Sequence, residues 1–331
     1  MSLGWDYSGR FLKDPLAGNS LDRLPALRTL NVRNTIPVDL NSILCMYHSS
    51  TFSRERTVDP VSPPDKAFEI LADYFHKTGS ISKATDYHKV ALEIRGGIMD
   101  LFWDPKKLAF YDYNLTSNAR NDFYSAATFY PFWAGIVPPE VLSDQHKAFG
   151  AFSAVNLVLN RYNGTFPATF VETTLQWDSP NAWPPHQYIA LEALRNLPGN
   201  LTTDALPQPG KGQNSFHLVP SGQLGITENQ LIAQPISGGG SVRGDVNKLN
   251  GTVINGGAAA RGEGWSQTLQ RELANRYIAA ALCSWYSTGG SVPGLLPRRS
   301  AAQLNVTGSV DNTGNVRLRS SALFLLSPFP F

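Results

Sequence analysis

Cysteine is nearly absent from this chain of 331 residues, which holds only Cys45 and Cys283. Two thiols cannot build a disulfide framework or a cysteine-held zinc site, and at most one long-range bridge can join them. Charge is scarce too, at 16% Asp, Glu, Lys and Arg with a formal net charge of +2. A balance that close to neutral gives no pull toward nucleic acid or an anionic membrane, so neither is expected as a partner. No segment reaches the roughly 18 apolar residues of a membrane span, and the start, MSLGWDYSGRF, lacks the basic region and apolar run of a signal peptide. The histidines show no H-E-x-x-H spacing, no G-x-S-x-G elbow occurs, and the SGGGS near position 237 is not followed by the Lys-Ser/Thr of a phosphate loop. Metal, serine-hydrolase and nucleotide chemistry have no anchor here, and no cofactor is expected.

What the chain has is apolar bulk and aromatic rings. Hydrophobic residues make up 42% and aromatics 11%, with seven Trp and twelve Tyr. That composition buries a large core, and the rings combine an apolar face with a polar edge suited to stacking on a small neutral ligand such as a sugar. Five N-x-S/T sequons begin at Asn114, Asn163, Asn200, Asn250 and Asn305. Chance supplies about two in a chain of this size, so the excess points to a secretory route.

The periodicity is helical over most of the chain. PPDKAFEILADYFHKTG, residues 63–79, starts with Pro at a first helical position and stops at Gly79, and residues 81–102 look similar. Leu108 to Tyr113 alternates as a short extended segment, Asp122 to Ala134 is an aromatic run, and 138–160 is again helical. Pro184 and Pro185 open a further helix with Ile189, Ala193 and Leu197 along one side. In 265–286 the stripe Leu269, Leu273, Ala274, Tyr277, Ile278, Ala281, Leu282 and Trp285 requires a partner helix. Between them, 198–264 is rich in Gly, Pro, Asn and Gln and reads as a long loop insertion. The expected class is all-α, a toroid of helical hairpins with a site where its aromatic loops gather.

Cleaving a glycosidic bond takes one carboxylic acid to protonate the leaving oxygen and one carboxylate to activate water or attack carbon. Acids set among aromatics are the candidates. Asp6 in GWDYSGR lies between Trp5 and Tyr7, which desolvate it and raise its pKa. Asp178 lies in LQWDSPNAWPPH, residues 175–186, where D-S-P-N is also a strong turn and helix-entry sequence. A structural capping role before the Pro184–Pro185 helix is therefore favoured for Asp178, leaving Trp177, Asn181 and Trp183 to face a ligand. Glu172, Glu263 and Asp39 read as solvated or structural acids.

QWDSPNAWPP, from Gln176 to Pro185, resembles the second signature of the trehalases, the family-37 glycoside hydrolases: Q-W-D-x-P-x-[GA]-W-[PAS]-P, met at every fixed position. Gly4-Trp5-Asp6-Tyr7-Ser8 with Arg10 is similar to the family's G-W-D-[FY]-S-x-R. The segments IPVDLN (36–41), FWDPKKLAFYDYN (102–114), FYPFWAG (129–135) and RELANRYIAAALCSWYSTGG (271–290) also have family counterparts. The resemblance implies an (α/α)6 barrel that hydrolyses α,α-trehalose to two glucose molecules with inversion. It makes Asp6 the general acid and Gly4 a substrate contact, with Trp5, Arg10, Gln176, Trp177, Asn181 and Trp183 as further substrate-binding positions.

The likeness stops at both ends. The family's first signature, P-G-G-R-F-x-E-x-Y-x-W-D-[ST]-Y, is absent, and its E-S before G-W-D is Ser2-Leu3 here. The family's Glu-Lys-[Tyr/Phe], which carries the general base, has no counterpart, and the chain ends in VRLRSSALFLLSPFPF. On that comparison, residues 1–331 form a single incomplete toroid, the C-terminal part of the catalytic domain, with 198–264 as an insertion and 316–331 as a non-matching tail. The chain by itself is then expected to be inactive. The alternatives are a sugar-binding remnant without turnover or another (α/α)6 glucosidase.

Overall fold

The structure, a computed structural model, describes residues 5, 8–14, 24–47, 66–173, 175, 177–235, 239–247, 252–253, 257–258 and 262–287. Gly4, Asp6, Gln176, Asn250, Asn305 and the tail 316–331 lie outside them, as do the side chains of Cys45 and Cys283. The described chain is all-α in class, as the sequence predicts. Its helices are α1 (Leu24–Leu27), α2 (Val38–Tyr47), α3 (Lys66–Lys77), α4 (Ile81–Phe102), α5 (Phe129–Trp133), α6 (Pro139–Leu142), α7 (Gln145–Arg161), α8 (Pro184–Arg195) and α9 (Trp265–Ser287). Its strands are only two residues long.

Local chemistry explains where these helices stop. Gly79 takes φ +80° after α3, a left-handed turn that costs glycine nothing. Ser80 N–H then donates to Phe75 O at 2.7 Å and Gly79 N–H to His76 O at 3.1 Å, which satisfies the last carbonyls and folds α4 back onto α3 as a hairpin. At 22 residues α4 is about 33 Å long. The pattern over 138–160 predicts one helix, and the structure has two. Asp144 turns extended, and its carboxylate accepts from His146 N–H at 2.8 Å and Lys147 N–H at 3.3 Å, capping α7 and ending α6.

The centre of the core is α7, buried at every position from Ala148 to Arg161. A helix buried on all sides must be surrounded, and α6 and α9 pack on it while α8 packs on α5 and α9. From α9 the buried face runs Trp265, Leu269, Leu273, Tyr277 and Ala280, with Glu272 and Arg276 buried beside them. The predicted stripe differs at Ile278, which is 54% exposed. Arg276 takes the place beside Tyr277 instead, because its guanidinium donates to Leu159 O at 2.6 Å and Tyr162 O at 2.5 Å. Those are orphan carbonyls at the end of α7, and Glu272 pairs with Arg276 at 2.5 Å.

The alternating LAFYDY segment divides between two small sheets. Trp103–Asp104 pairs with Ala109–Phe110, while Tyr113–Asn114 pairs with Thr35–Ile36 and with Ala119–Arg120. Asp112, between the two, is left facing the interior at 2% exposure. Among the described residues of 198–264 the helical segments are short 3-10 turns. That segment is sewn to the core by Gln223, whose side-chain amide donates to Lys107 O at 2.8 Å and Gly150 O at 3.1 Å, and whose backbone carbonyl accepts from the Tyr111 hydroxyl at 2.5 Å.

Candidate active site

The site is built on Arg10. Its side chain is wholly buried, with two carboxylates for company. Asp39 takes Nη1 and Nη2 at 2.8 Å each, and Asp112 takes Nε at 2.6 Å and Nη2 at 2.7 Å. Backbone amides complete the carboxylates' bonding: Leu40 N–H reaches Asp39 and Val38 N–H reaches Asp112, each at 2.9 Å, at the start of α2 where the helix dipole favours negative charge. Burial opposes the guanidinium's charge, but Asp112 and Asp39 outweigh it and hold the Arg10 pKa above its ordinary value. Burial likewise opposes the Asp39 carboxylate, and Arg10 holds it below the usual range.

An aromatic ladder runs from this hub outward. The Arg10 guanidinium lies 4.6 Å over the Trp5 ring. His186 meets Trp5 at 4.3 Å between centroids, Trp177 meets Trp5 at 5.5 Å, and Trp183 stacks on Trp177 at 4.2 Å with 13° between planes. Trp5 and Trp177 are 2% and 8% exposed, so only Trp183, half-buried, brings the ladder near solvent. Trp177 Nε1 and His186 Nδ1 are buried without a hydrogen-bond partner. His186 sits among Trp5, Trp177 and Tyr130, with Asp39 and Arg10 as the charges acting on it. Burial pushes its pKa down to about 3, so the ring is neutral at pH 7.

The second motif is held by Asp178. Its carboxylate is 0% exposed and accepts from Ser8 Oγ at 2.9 Å, Gly9 N–H at 2.7 Å, Thr169 Oγ1 at 3.2 Å and Thr173 Oγ1. Burial pushes the carboxyl up to about 6, and the four donors work against that rise. The expected helix-entry role for Asp178 is corrected here. α8 starts at Pro184 behind an N-cap, Trp183, that makes no side-chain cap bond, because the prolines at its first two positions leave few amides to cap. The Asp178 carboxylate instead serves residues 8 and 9.

Of the other sequence candidates, Trp5, Trp177 and Trp183 come together, and Asn181 is buried in the turn that follows Asp178. Arg10 departs from its expected substrate-binding role: four hydrogen bonds to Asp39 and Asp112 commit its guanidinium to the interior. Asp39 is structural, as expected, but buried rather than solvated, and Glu172 is exposed. Sequence reasoning missed Asp112 and His186 as members of the cluster. Asp112 lies inside the matched segment FWDPKKLAFYDYN, whereas a lone histidine after two prolines carries no signal of its own. A separate groove of about 490 Å³, lined by Lys107, Phe216, Val219, Gln223 and Ile226 among others, shares no residue with the ladder.

The family model and the curated relatives named below agree with one another. A family model described as Trehalase matches residues 2–208, well over half of the chain. A trehalase of Oryctolagus cuniculus is 28% identical over 61% of this chain and 30% of its own length, and one of Apis mellifera is 27% identical over 83% and 38%. A periplasmic trehalase of Xanthomonas oryzae is 34% identical over 58% of this chain and 27% of its own. Among solved structures, the neutral trehalase of Saccharomyces cerevisiae aligns over 49% of this chain and 28% of its own at 22% identity and a TM-score of 0.34, too slight a likeness to bear on the fold. The chain spans between 27% and 41% of the length of the curated relatives it matches. Both motifs that build the ladder fall inside the matched residues, and the chain belongs to the trehalase family.

Proposed function

We propose that the protein carrying this chain hydrolyses α,α-trehalose to two glucose molecules by an inverting mechanism, with Asp6 as the general acid. The observation that carries the reading is the joining of G-W-D-Y-S-x-R and Q-W-D-S-P-N-A-W-P-P in one cluster, where Trp5, Trp177 and Trp183 stack. Asp6 follows Trp5 in sequence, and the Trp5 ring is packed between Arg10 and His186. A general acid needs a carboxyl that stays protonated for donation to the bridging oxygen. Trp183, the half-buried outer ring of the ladder, is its aromatic surface nearest solvent and the one a sugar ring would meet first.

An inverting enzyme also needs a second carboxylate about 6.5–9.5 Å from the acid, to activate water on the far side of the sugar. None of the carboxylates packed here is free for that role. Asp39 and Asp112 neutralise Arg10, and Asp178 is saturated by its four donors. We assign the base to a segment outside this cluster, and the 331 residues alone are expected to lack it. Glucose release from trehalose is the test. The full-length protein releases glucose, its Asp6→Asn variant does not, and residues 1–331 alone do not. Turnover by the Asp6→Asn variant overturns the acid assignment, and saturable trehalose binding without turnover by the full-length protein supports a sugar-binding remnant instead.

The sequons carry a second part of the proposal, a secreted or extracytoplasmic, N-glycosylated protein. Asn163 and Asn200 are exposed and reachable by the transferase, while Asn114 has its side-chain oxygen turned to Thr116 N–H at 2.8 Å. A fall in mass at Asn163 or Asn200 on glycosidase treatment checks it.

A further inference from the structure

Asp112, one of the two carboxylates that neutralise Arg10, belongs to a stretch, 107–122, whose two ends are held together. Lys107 and Asp122 pair with each other, and the insertion seats on both. Gln223, 0% exposed, donates through its side-chain amide to Lys107 O at 2.8 Å, Leu108 O at 3.3 Å and Gly150 O at 3.1 Å. Gly225, at φ +69°, approaches Asp122 so closely that a Cβ on it would stand 1.9 Å from Asp122 O. Between those ends the Tyr111 hydroxyl donates to the backbone carbonyl of Gln223 at 2.5 Å. The next residue is Asp112, which takes Arg10 Nε at 2.6 Å and Nη2 at 2.7 Å. Leu108 has φ +52°, a left-handed backbone that a residue with a Cβ keeps only where its surroundings over-determine it. The Gln223 amide, gripping the carbonyls of 107 and 108 together, supplies that constraint.

We propose that Gln223 is a positioning residue for the aromatic ladder: from the insertion it fixes 107–111, and so fixes where Asp112 holds Arg10 and where Arg10 holds Trp5. The guanidinium lies 4.6 Å over Trp5, and Trp5, Trp177 and Trp183 stack in series, so a displaced Asp112 is felt at the outer ring. The proposal rests on the ladder being where the sugar binds. Gln223 is given no contact with substrate; it acts through Asp112 and Arg10. A segment that only covered the core would need apolar contacts, which Leu224 and Ile226 already supply. A buried amide aimed at three backbone carbonyls fixes position instead.

The test uses the full-length protein with Gln223→Met, which keeps the shape and removes the donors, and Tyr111→Phe, a milder change that removes one hydroxyl and leaves the amide. In Gln223→Met, hydrogen exchange of the peptide covering 103–113 is expected to rise about tenfold or more. The peptide covering 8–14, which carries Arg10, is expected to rise with it, and the one covering 184–195 to stay unchanged. KM for trehalose is expected to rise about fivefold with kcat within about twofold, because displaced rings weaken ground state and transition state alike. Tyr111→Phe gives the same signature at smaller size. A purely structural role reduces the folded fraction, which lowers the measured kcat and leaves KM alone, and that result overturns the proposal. Exchange that rises equally in all three peptides overturns it too, as does a rise at 103–113 that leaves 8–14 unmoved. If the wild-type protein releases no glucose from trehalose, the substrate reading falls, and the joint rise at 103–113 and 8–14 still decides whether Gln223 positions Arg10.

Discussion

Replacing His186 with leucine tests whether the cluster around Trp5 is as dry as its geometry implies. The imidazole is 1% exposed and burial holds its pKa near 3 in the folded protein, against 6.5 in an unfolded chain. Because the folded pKa is the lower one, protons bind the unfolded chain more readily. The stability His186 allows is complete above pH 6.5 and drains away as pH falls toward 3. The loss is about 1.4 kcal/mol for each pH unit below 6.5, hence about 3 kcal/mol by about pH 4.5. His186→Leu abolishes that term. At about pH 7.5 the substitution removes a ring contact worth about 1 kcal/mol but also relieves an unpartnered buried nitrogen of similar cost, so wild type and variant should then agree within about 1 kcal/mol. Asp178 contributes the opposite slope, since its folded pKa is raised from 3.8 to about 6 and its contribution is present below 3.8 and lost as pH rises through 6. The wild-type curve is thus flatter than either group alone would make it, and only the difference between variant and wild type isolates His186. Urea denaturation followed by tryptophan fluorescence between about pH 7.5 and 4.5 measures that difference. Growth of the difference to about 3 kcal/mol in the variant's favour is expected, and parallel curves refute the reasoning, because they mean that His186 is protonated in the fold beside Asp39.

Asp39→Ala strips Arg10 of two charged hydrogen bonds while Asp112 still neutralises it, so the expected cost is about 3 kcal/mol, read as a lower urea midpoint at unchanged slope. Gly264→Ala builds a Cβ 1.8 Å from Thr202 O and 2.8 Å from Thr203 Cα, both backbone, and should cost about 2 kcal/mol or more by the same assay. Gly97→Ala, inside α4 with no atom within 4 Å of the new methyl, should stabilise instead, by about 0.5–1 kcal/mol. In the full-length protein Trp183→Ala should raise KM for trehalose about tenfold with little change in kcat, since stacking binds ground state and transition state alike.

Elements that depend on neighbouring residues were legible in the sequence. Proline at 184, glycine at 79 and the apolar spacing of α4 and α9 act over one or two turns, and the helices start and stop where those signals stand. Asp144 was legible in principle, because an Asp before a helical run is a cap, but apolar spacing on both sides hid the break it makes. The pairings that build the site are of another kind. Arg10 meets Asp39 and Asp112 across 29 and 102 residues, and Asp178 meets Gly9 across 169. No local propensity encodes contacts at those separations. The motifs therefore located the aromatic ladder, while the roles of Arg10 and Asp178 depended on which carboxylate and which amide lay opposite each in space. Ile278 shows the same limit on a helix face: apolar spacing admitted it, and the carbonyls at the end of α7 drew Arg276 inward in its stead.

The central claim is inverting cleavage of trehalose with Asp6 as the acid, and the anomers of the glucose first released test it most directly. Both anomeric carbons of α,α-trehalose are α. Water attacking one of them from the opposite face yields β-glucose, and the departing half keeps its α configuration. Proton NMR in the first minutes of turnover by the full-length protein should show α- and β-glucose in equal amounts, with no release by Asp6→Asn. Release of α-glucose alone, or unimpaired turnover by the Asp6→Asn variant, contradicts the account.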